Sequence, residues 1–326
     1  MARSAIGRVW MMRNEMHERE FDVLVVGELN ADLILSGDVT PQYGQAEKLI
    51  DDASLVLGSS SAIFAAGAAR LGLRVAFVGK VGDDPLGHFA LEELRKRGVN
   101  TDSCVVDSAI KTGLSVILLR GGDRAILTYS GSIGALRASE VNPALLARAR
   151  HLHIGSFYLL DALRPDVPGL FDAAHAAGMT TSIDTNYDPT ERWDSGIADV
   201  LARTDVFLPN ETELTAIARR SELHEALEAV MSAPGQAERI VAVKLGARGA
   251  QARRGDAEAH AAGVPIAVVD AVGAGDSFDA GFIYGYLAGW PLERSLRLAC
   301  VCGSLSTRAA GGTGAQATLA EAEEYL

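Results

Sequence analysis

Short runs of consecutive apolar residues, closed by a glycine or a polar cluster and followed by longer mixed stretches, recur along most of this chain. FDVLVVGEL (21–29) and RVAFVGKVG (74–82) lack polar alternation, the pattern of strands buried on both faces of a parallel sheet. Ser60 to Leu71 is Ala-rich and closed by Gly72, and Pro85 to Arg97 is closed by Gly98; both read as helices. Farther on, the runs HLHIGSFYL, MTTSID, TDVFLPN and RIVAVKLG read as strands, with helices at 143–150, 166–177, 211–219 and 222–231. Such βαβα alternation implies a parallel sheet covered on both faces.

Two stretches break the rhythm. Residues 31–57 and 105–130 carry short strands interrupted by Gly, Pro and Asp, without helical period. The second contains TGLSVILLRGGDRAILTYSG, which reads as a hairpin with Gly121-Gly122-Asp123 at its turn. The two are alike in texture and are expected to pair as a small sheet beside the main domain, a lid over a ligand cleft. Residues 1–20 are mixed in charge and aperiodic, an expected poorly ordered extension, leaving 21–326 as one α/β domain.

Composition narrows the function classes. The chain has 326 residues, 48% hydrophobic and 22% charged, enough for a large core. Its 30 Lys and Arg against 42 Asp and Glu give a net charge of −12, which disfavours nucleic acid and anionic membranes as partners. No stretch has the length of a membrane span or the form of a signal peptide. Cys104, Cys300 and Cys302 form no disulfide framework or CxxC pair and are read as small buried apolar groups in a reducing, cytoplasmic setting.

VVDAVGAGDSFDAGFIYGYLAG (268–289) is the most informative segment. A β run ending at Asp270 is followed by a loop with Gly273, Ala274, Gly275 and Asp276, then a helix. The glycines let backbone approach a ligand, and a helix N-terminus presents free N–H groups to an anion. Gly281, Gly285 and Gly289 form a stripe that permits close helix packing. Asp276 has two readings: a helix N-cap, or a base that takes a proton from an attacking hydroxyl while the amides of Ala274 and Gly275 hold a phosphoryl group. The GxGxxG, P-loop and HExxH patterns are absent, and His151-x-His153 lacks a third metal ligand nearby.

From about Phe21 onward the sequence resembles the ribokinase (PfkB-type) sugar kinases, whose signature D-x-x-G-A-G-D-x-F stands intact from Asp270 to Phe278. The segments GELNAD (27–32), AFVGKVGDDPLGHFALEELRKRGVNTD (76–102), PNETE (209–213), VKLGARGA (243–250) and STRAAGGTGA (306–315) follow in the family's order. The resemblance implies a Rossmann-like αβα sandwich of the ribokinase type with a small β-sheet lid, and ATP, Mg²⁺ and often K⁺ as cofactors. It makes Asp276 the general base beside Gly273, Ala274 and Gly275. Asn30, Asp32, Gly58 and Ser59 fall at the acceptor site. Asn210, Lys244, Gly246 and Gly249 fall at the nucleotide site; Asn210 and Glu213 are expected to hold Mg²⁺ through water, and Asp270 to serve a monovalent cation.

Departures fall mostly on the acceptor side. The family's G-G-x-x-x-N is here Gly58-Ser59-Ser60-Ser61-Ala62-Ile63, so an apolar group replaces a sugar-binding amide. The three serines supply either hydroxyls to the acceptor or ordinary caps. In DTNYDPTERW (184–193), Asp188 stands where relatives carry Arg, which argues for a neutral rather than an acidic acceptor. Lys244 replaces the more usual Thr and either reaches a phosphate or is a solvated strand-end lysine. The expected activity is phosphoryl transfer from ATP to a small neutral sugar. The alternative is a nucleoside or other small-alcohol kinase, which Ile63 and Phe64 favour, and a non-catalytic binder is the rival class. The apolar lid, for instance Leu114 to Leu119, offers a surface for a homodimer.

Overall fold

In the computed structural model, which describes residues 19–120, 123–235 and 238–326, strand β1 (Phe21–Val26) is buried along its whole length. The chain then leaves the main sheet for β2 (Asn30–Ser36) and β3 (Asp52–Leu57). It returns through α1 (Ser60–Arg70) to β4 (Val75–Val78), which pairs in parallel with β1. Next come β5 (Lys80–Gly82), α2 (Pro85–Lys96), β6 (Val105–Asp107) and the hairpin strands β7 (Gly113–Arg120) and β8 (Asp123–Tyr129). The alternating part runs β9 (Ala149–Ile154), α3 (Val167–Ala176), β10 (Thr180–Ile183), α4 (Ile197–Leu201) and β11 (Val206–Phe207). It continues with α5 (Glu211–Ala218), α6 (Leu223–Ser232) and β12 (Ile240–Lys244). A second hairpin, β13 (Ala250–Arg254) with β14 (Ala257–Ala261), precedes α7 (Ala274–Leu287), α8 (Leu292–Ser306) and α9 (Leu319–Glu323).

The main sheet has the order β14-β13-β12-β11-β10-β9-β1-β4. Its strands from β12 to β4 are parallel, and β13 and β14 extend it as antiparallel edge strands. Alternate residues of β1 feed two cores. Val23 and Val25 face α1, α2, α7 and α8, whereas Leu24 and Val26 face α3 to α6. Fully buried aromatics such as Phe171 and Phe282 contribute about 1.5–3 kcal/mol each. Helices α7 and α8 pack closely because Gly281 and Gly285 lack side chains: a Cβ there would stand 3.0 Å from Ala299 Cα and 2.6 Å from Ser295 Oγ. Gly289 lies beyond the end of α7, and a Cβ there would meet nothing within 4 Å, so it is no part of that stripe.

The two β-rich excursions pair as expected. β2 joins β7 in parallel, from Asn30 opposite Gly113 to Ser36 opposite Leu119, giving a four-stranded lid of order β3-β2-β7-β8. The β7–β8 hairpin forms, while Gly121 and Gly122 of its turn lie outside the described residues, as do all but the last two residues of the 1–20 extension.

Several elements differ from the sequence reading. The run 74–82 splits at Gly79; β5 leaves the main sheet to pair with β6, so 105–107 is not lid. Residues 143–148 form a 3₁₀ turn rather than an α-helix, and β9 ends at Ile154 before another 3₁₀ turn at Phe157–Leu159. The β run ending at Asp270 is not a strand. The sheet already ends at β14, Val268 and Val269 are exposed, and the Val269 and Asp270 amides both donate to the Thr307 carbonyl.

Candidate active site

The carboxyl ends of the parallel strands, where open α/β sheets bind ligands, carry a concentration of polar side chains. Glu28 follows β1, Asp184 follows β10, Asn210 lies beyond β11, and Lys244 ends β12. All four open on a cavity of about 550 Å³ beneath the lid.

Helix α7 points its N-terminus into this cavity. Gly273 is its N-cap, at φ 72, a left-handed conformation that suits glycine. Asp276 is therefore the third helical residue and not the cap. The Ala274 amide donates to Ala271 O at 3.4 Å, while the amides of Gly275 and Asp276 have no partner among the described residues. The two unpartnered amides at the helix start are thus those of Gly275 and Asp276, one residue on from the expected Ala274 and Gly275. Asp276 is half-buried on the cavity wall. Burial, reinforced by the charges of Asp184 and Glu28, raises its carboxyl well above the ordinary range, with Lys244 and the Ser60 hydroxyl acting against the shift.

On the lid side, Asn30 and Asp32 are buried at the start of β2, and Asn30 Nδ2 donates to Asp32 Oδ1 at 2.9 Å. Burial pushes the Asp32 carboxyl up to about 6, and the Glu28 charge adds to it. Gly58 does not line the cavity; it makes room for these two side chains. Ser59 does line it, but its hydroxyl is engaged, donating to Glu28 O at 2.6 Å and accepting from the Ala62 amide at 3.0 Å as the cap of α1. Its φ of 75 explains why glycine is the family residue there. Ser61 is also engaged, donating to Glu28 Oε2 at 2.5 Å, so of the two serines of this run that line the cavity only Ser60 is not committed to Glu28.

A second cavity, of about 530 Å³, lies between the β12–β13 turn and the ends of α7 and α8. Gly246 and Gly249 line it, and a Cβ on Gly249 would stand 2.0 Å from Ala261 O. Lys244, Gly246, Ala271 and Gly275 line both cavities and form the partition between them. Lys244 is not a solvated strand end. Its ammonium donates to Asp184 Oδ2 at 2.6 Å and to both oxygens of Asp279 at 3.1 and 3.2 Å. Burial disfavours the Asp184 carboxylate, but Lys244 overrides it and holds this carboxyl at about 2.

Asn210 and Glu213 open on the first cavity rather than the second. Each side chain accepts from the other's backbone amide in a capping box at the start of α5, and Asn210 Nδ2 also donates to Glu213 Oε1 at 2.6 Å. Burial first, then the Asp184 charge, raises Glu213 to about 7. Asp270 opens on neither cavity; its oxygens accept from the amides of Val272 and Gly311 at 3.0 and 2.9 Å and tie the α7 loop to the 306–315 loop.

Other singled-out residues have structural work. Asp188 is buried, accepting from the Thr190 and Trp193 amides at 2.8 and 2.7 Å, and does not line the first cavity. His151 and His153 share the Ser182 hydroxyl and are buried, held neutral by desolvation rather than set for a metal. Ile63 lines the cavity while packing on the α7 loop, its Cγ2 lying 2.9 Å from where a Gly273 Cβ would be. The cysteines are free thiols, and burial lifts Cys104 and Cys302 to about 12.

Sequence reasoning missed Glu28, Asn186, Asp184 and Asp279. Glu28 accepts from Ser61 and Ser156, and Asn186 Nδ2 donates to Ser156 Oγ at 3.2 Å. Their position just past strands β1 and β10 was the available signal for Glu28, Asp184 and Asn186. Asp279 had none, since it lies within a helix.

Comparison with known proteins agrees with this geometry. The profile of the pfkB family of carbohydrate kinases matches residues 20–319. An ATP-dependent ribose-1-phosphate kinase of Halopiger xanaduensis is 33% identical over 297 residues, covering 90% of this chain and 93% of the relative. A protein of E. coli described as ribokinase II, solved with ATP and Mg²⁺, superposes with a TM-score of 0.81 at 26% identity over 94% of this chain and 98% of that one. An adenosine kinase of Sinorhizobium meliloti superposes with the same TM-score of 0.81 at 25% identity, over 94% and 99% of the two chains. Among the described residues no helix is long and apolar enough to cross a membrane.

Proposed function

The chain belongs to the pfkB family of carbohydrate kinases, phosphotransferases that act on sugar hydroxyls, and we propose that it moves the γ-phosphoryl group of ATP to a hydroxyl of a small carbohydrate with Asp276 as general base. The observation that carries this reading is the partition. Two cavities of similar size meet at Lys244 and Gly275, and the α7 N-terminus, with Asp276, stands at the meeting point. An acceptor fits the lid-side cavity and a nucleotide fits the glycine-lined one.

The chain's own groups divide the work. Asn30 and Asp32 grip acceptor hydroxyls from the lid. Asp276 accepts the proton of the attacking hydroxyl. The free amides of Gly275 and Asp276, at the positive end of α7, face the phosphoryl group as it crosses. The lid excludes water that would otherwise be phosphorylated in the acceptor's place. Asn210 and Glu213 open on the first cavity, and although their oxygens also accept hydrogen bonds within their capping box, they are the residues that would hold a water-bound Mg²⁺, which would supply charge neutralisation for the phosphates. Asp270 has both oxygens on amides, so a K⁺ requirement is tested directly by assaying with and without it.

The acceptor is open to two chemistries. Asp188 does not line the acceptor cavity, which weakens the charge argument for a neutral sugar, and Arg124 on the inner face of the lid does line it. The aliphatic wall of Ile63, Ile117, Ile126 and Ile133 on that cavity favours a nucleoside as the second reading. ADP release with MgATP across free sugars, sugar phosphates, sugar acids and nucleosides tests both. Release that depends on a carbohydrate supports the first reading and release on nucleosides alone the second. Intact ATP binding without release on any acceptor counts against a kinase. We further assign the apolar outer face of the lid to a second copy of the chain.

A further inference from the structure

We propose that Asp279 is a positioning residue: together with Asp184 it holds the Lys244 ammonium on the partition between the cavities, where that cation meets the γ-phosphoryl group. The inference rests on the kinase reading above.

Asp279 lies on α7 three residues beyond Asp276, one turn deeper on the same side of the helix, and is 1% exposed. It lines neither cavity, and Lys244 donates to both of its oxygens. Burial, with the charge of Asp184 beside it, raises this carboxyl well above the ordinary range, and the Lys244 ammonium is the group that acts against that shift. Lysine has a flexible four-carbon stem that loses substantial rotamer entropy when held at one point. Two neighbouring carboxyl groups, Asp184 from the strand edge and Asp279 from the helix, both take its hydrogen bonds and fix it. The fixed point is next to the anion site, because Lys244 Nζ lies 3.6 Å from where a Cβ on Gly275 would be, beside a free amide.

Without Asp279, Lys244 would keep only Asp184, which lies on the acceptor side of the partition. The cation would then move away from the phosphoryl group and toward the acceptor. One carboxylate oxygen each of Asp184, Asp276 and Asp279 lie within 4.8 Å of one another, so the same move would leave Asp276 beside a less compensated cluster. Asp279 therefore acts through Lys244 and touches no substrate.

The test needs no acceptor. Affinities for MgADP and for the Mg complex of the β,γ-imido analogue of ATP are measured by calorimetry for the wild type, Asp279→Asn, Lys244→Met and the double variant. The imido analogue carries the third phosphoryl group and ADP does not. Each single variant should lose about 10-fold in affinity for the analogue, the worth of one charge-assisted hydrogen bond, with ADP affinity changed less than about threefold. The double variant should lose no more than Lys244→Met alone, because both substitutions remove one contact. Unchanged analogue-to-ADP ratios in Asp279→Asn, or independent losses that multiply in the double variant, overturn the proposal. Wild-type protein that binds neither nucleotide overturns the kinase reading itself. If Asp279→Asn does not fold, Asp279→Glu, which keeps the carboxyl group, should fold and retain the analogue preference; a folded Asp279→Glu that has lost that preference, or a ratio that Lys244→Met leaves unchanged, contradicts the proposal.

Discussion

Gly58 lies directly against Asp32: a Cβ at Gly58 would stand 2.2 Å from Asp32 Oδ1 and 2.6 Å from Asn30 Nδ2. The glycine thus leaves room for the two lid groups that we propose grip the acceptor. Gly58→Ala should raise the acceptor KM by about 10-fold or more, in line with losing one hydrogen bond to a polar substrate. Nucleotide affinity should stay within about threefold, since the second cavity is untouched. Steady-state kinetics with each substrate varied separately check this split.

Asp32 also gives the protein a pH-dependent stability. Its carboxyl is raised from 3.8 to about 6 in the folded state, chiefly by burial, so the fold favours the protonated form. That contribution is complete below about pH 4 and is lost as pH rises through 6. Asp32→Asn should therefore be more stable than wild type at pH 8, by about 1–3 kcal/mol, and little different at pH 4. Urea unfolding at the two pH values measures the difference. A residue that costs stability where the enzyme works is expected at a binding site.

Asp188 should behave as a structural residue. Asp188→Ala removes an acceptor shared by the Thr190 and Trp193 amides and should cost about 1–3 kcal/mol in thermal or urea unfolding, with acceptor KM little changed. An acceptor KM that rises while stability holds would place this carboxylate in the site after all.

The outer face of the lid carries Leu33, Leu55, Val116, Leu127 and Tyr129 on neighbouring strands, and Leu127 and Tyr129 are 62% and 54% exposed. These side chains alternate with the inward-facing Ser115, Ile117, Ile126 and Thr128, so a second copy would cover the outer face without blocking the cavity. Sedimentation should show a wild-type dimer and a Leu127→Glu monomer. A wild type that sediments as a monomer at micromolar concentration contradicts the assignment.

What could be read from the chain depended on how local the information was. Asp276 and the glycines around it form one continuous segment, and its helix-start chemistry is legible there. The lid was legible as two similar textures, although β6 was assigned to it because nothing local says that Lys80–Gly82 would leave the main sheet to pair with it. Val268 and Val269 have strand-like side chains but no free sheet edge, and availability of an edge is a tertiary fact. Lys244 meets Asp184 and Asp279 across 60 and 35 residues, a clustering that no spacing rule reveals. Asp188 looked like an acceptor contact because its segment resembles one, whereas the backbone turn it caps directs it inward.

The central claim is that Asp276 takes the acceptor's proton at the junction of the two cavities. Acceptor-dependent ADP formation by Asp276→Asn, with MgATP affinity measured alongside, tests it most directly. Turnover should fall by about 10²–10⁴-fold with nucleotide affinity within about threefold. The wild-type rate should rise with pH as the carboxyl, raised by burial, ionises, and the residual rate of the variant should lack that rise. An Asn variant with full turnover and the wild-type pH profile would show that the proton goes elsewhere.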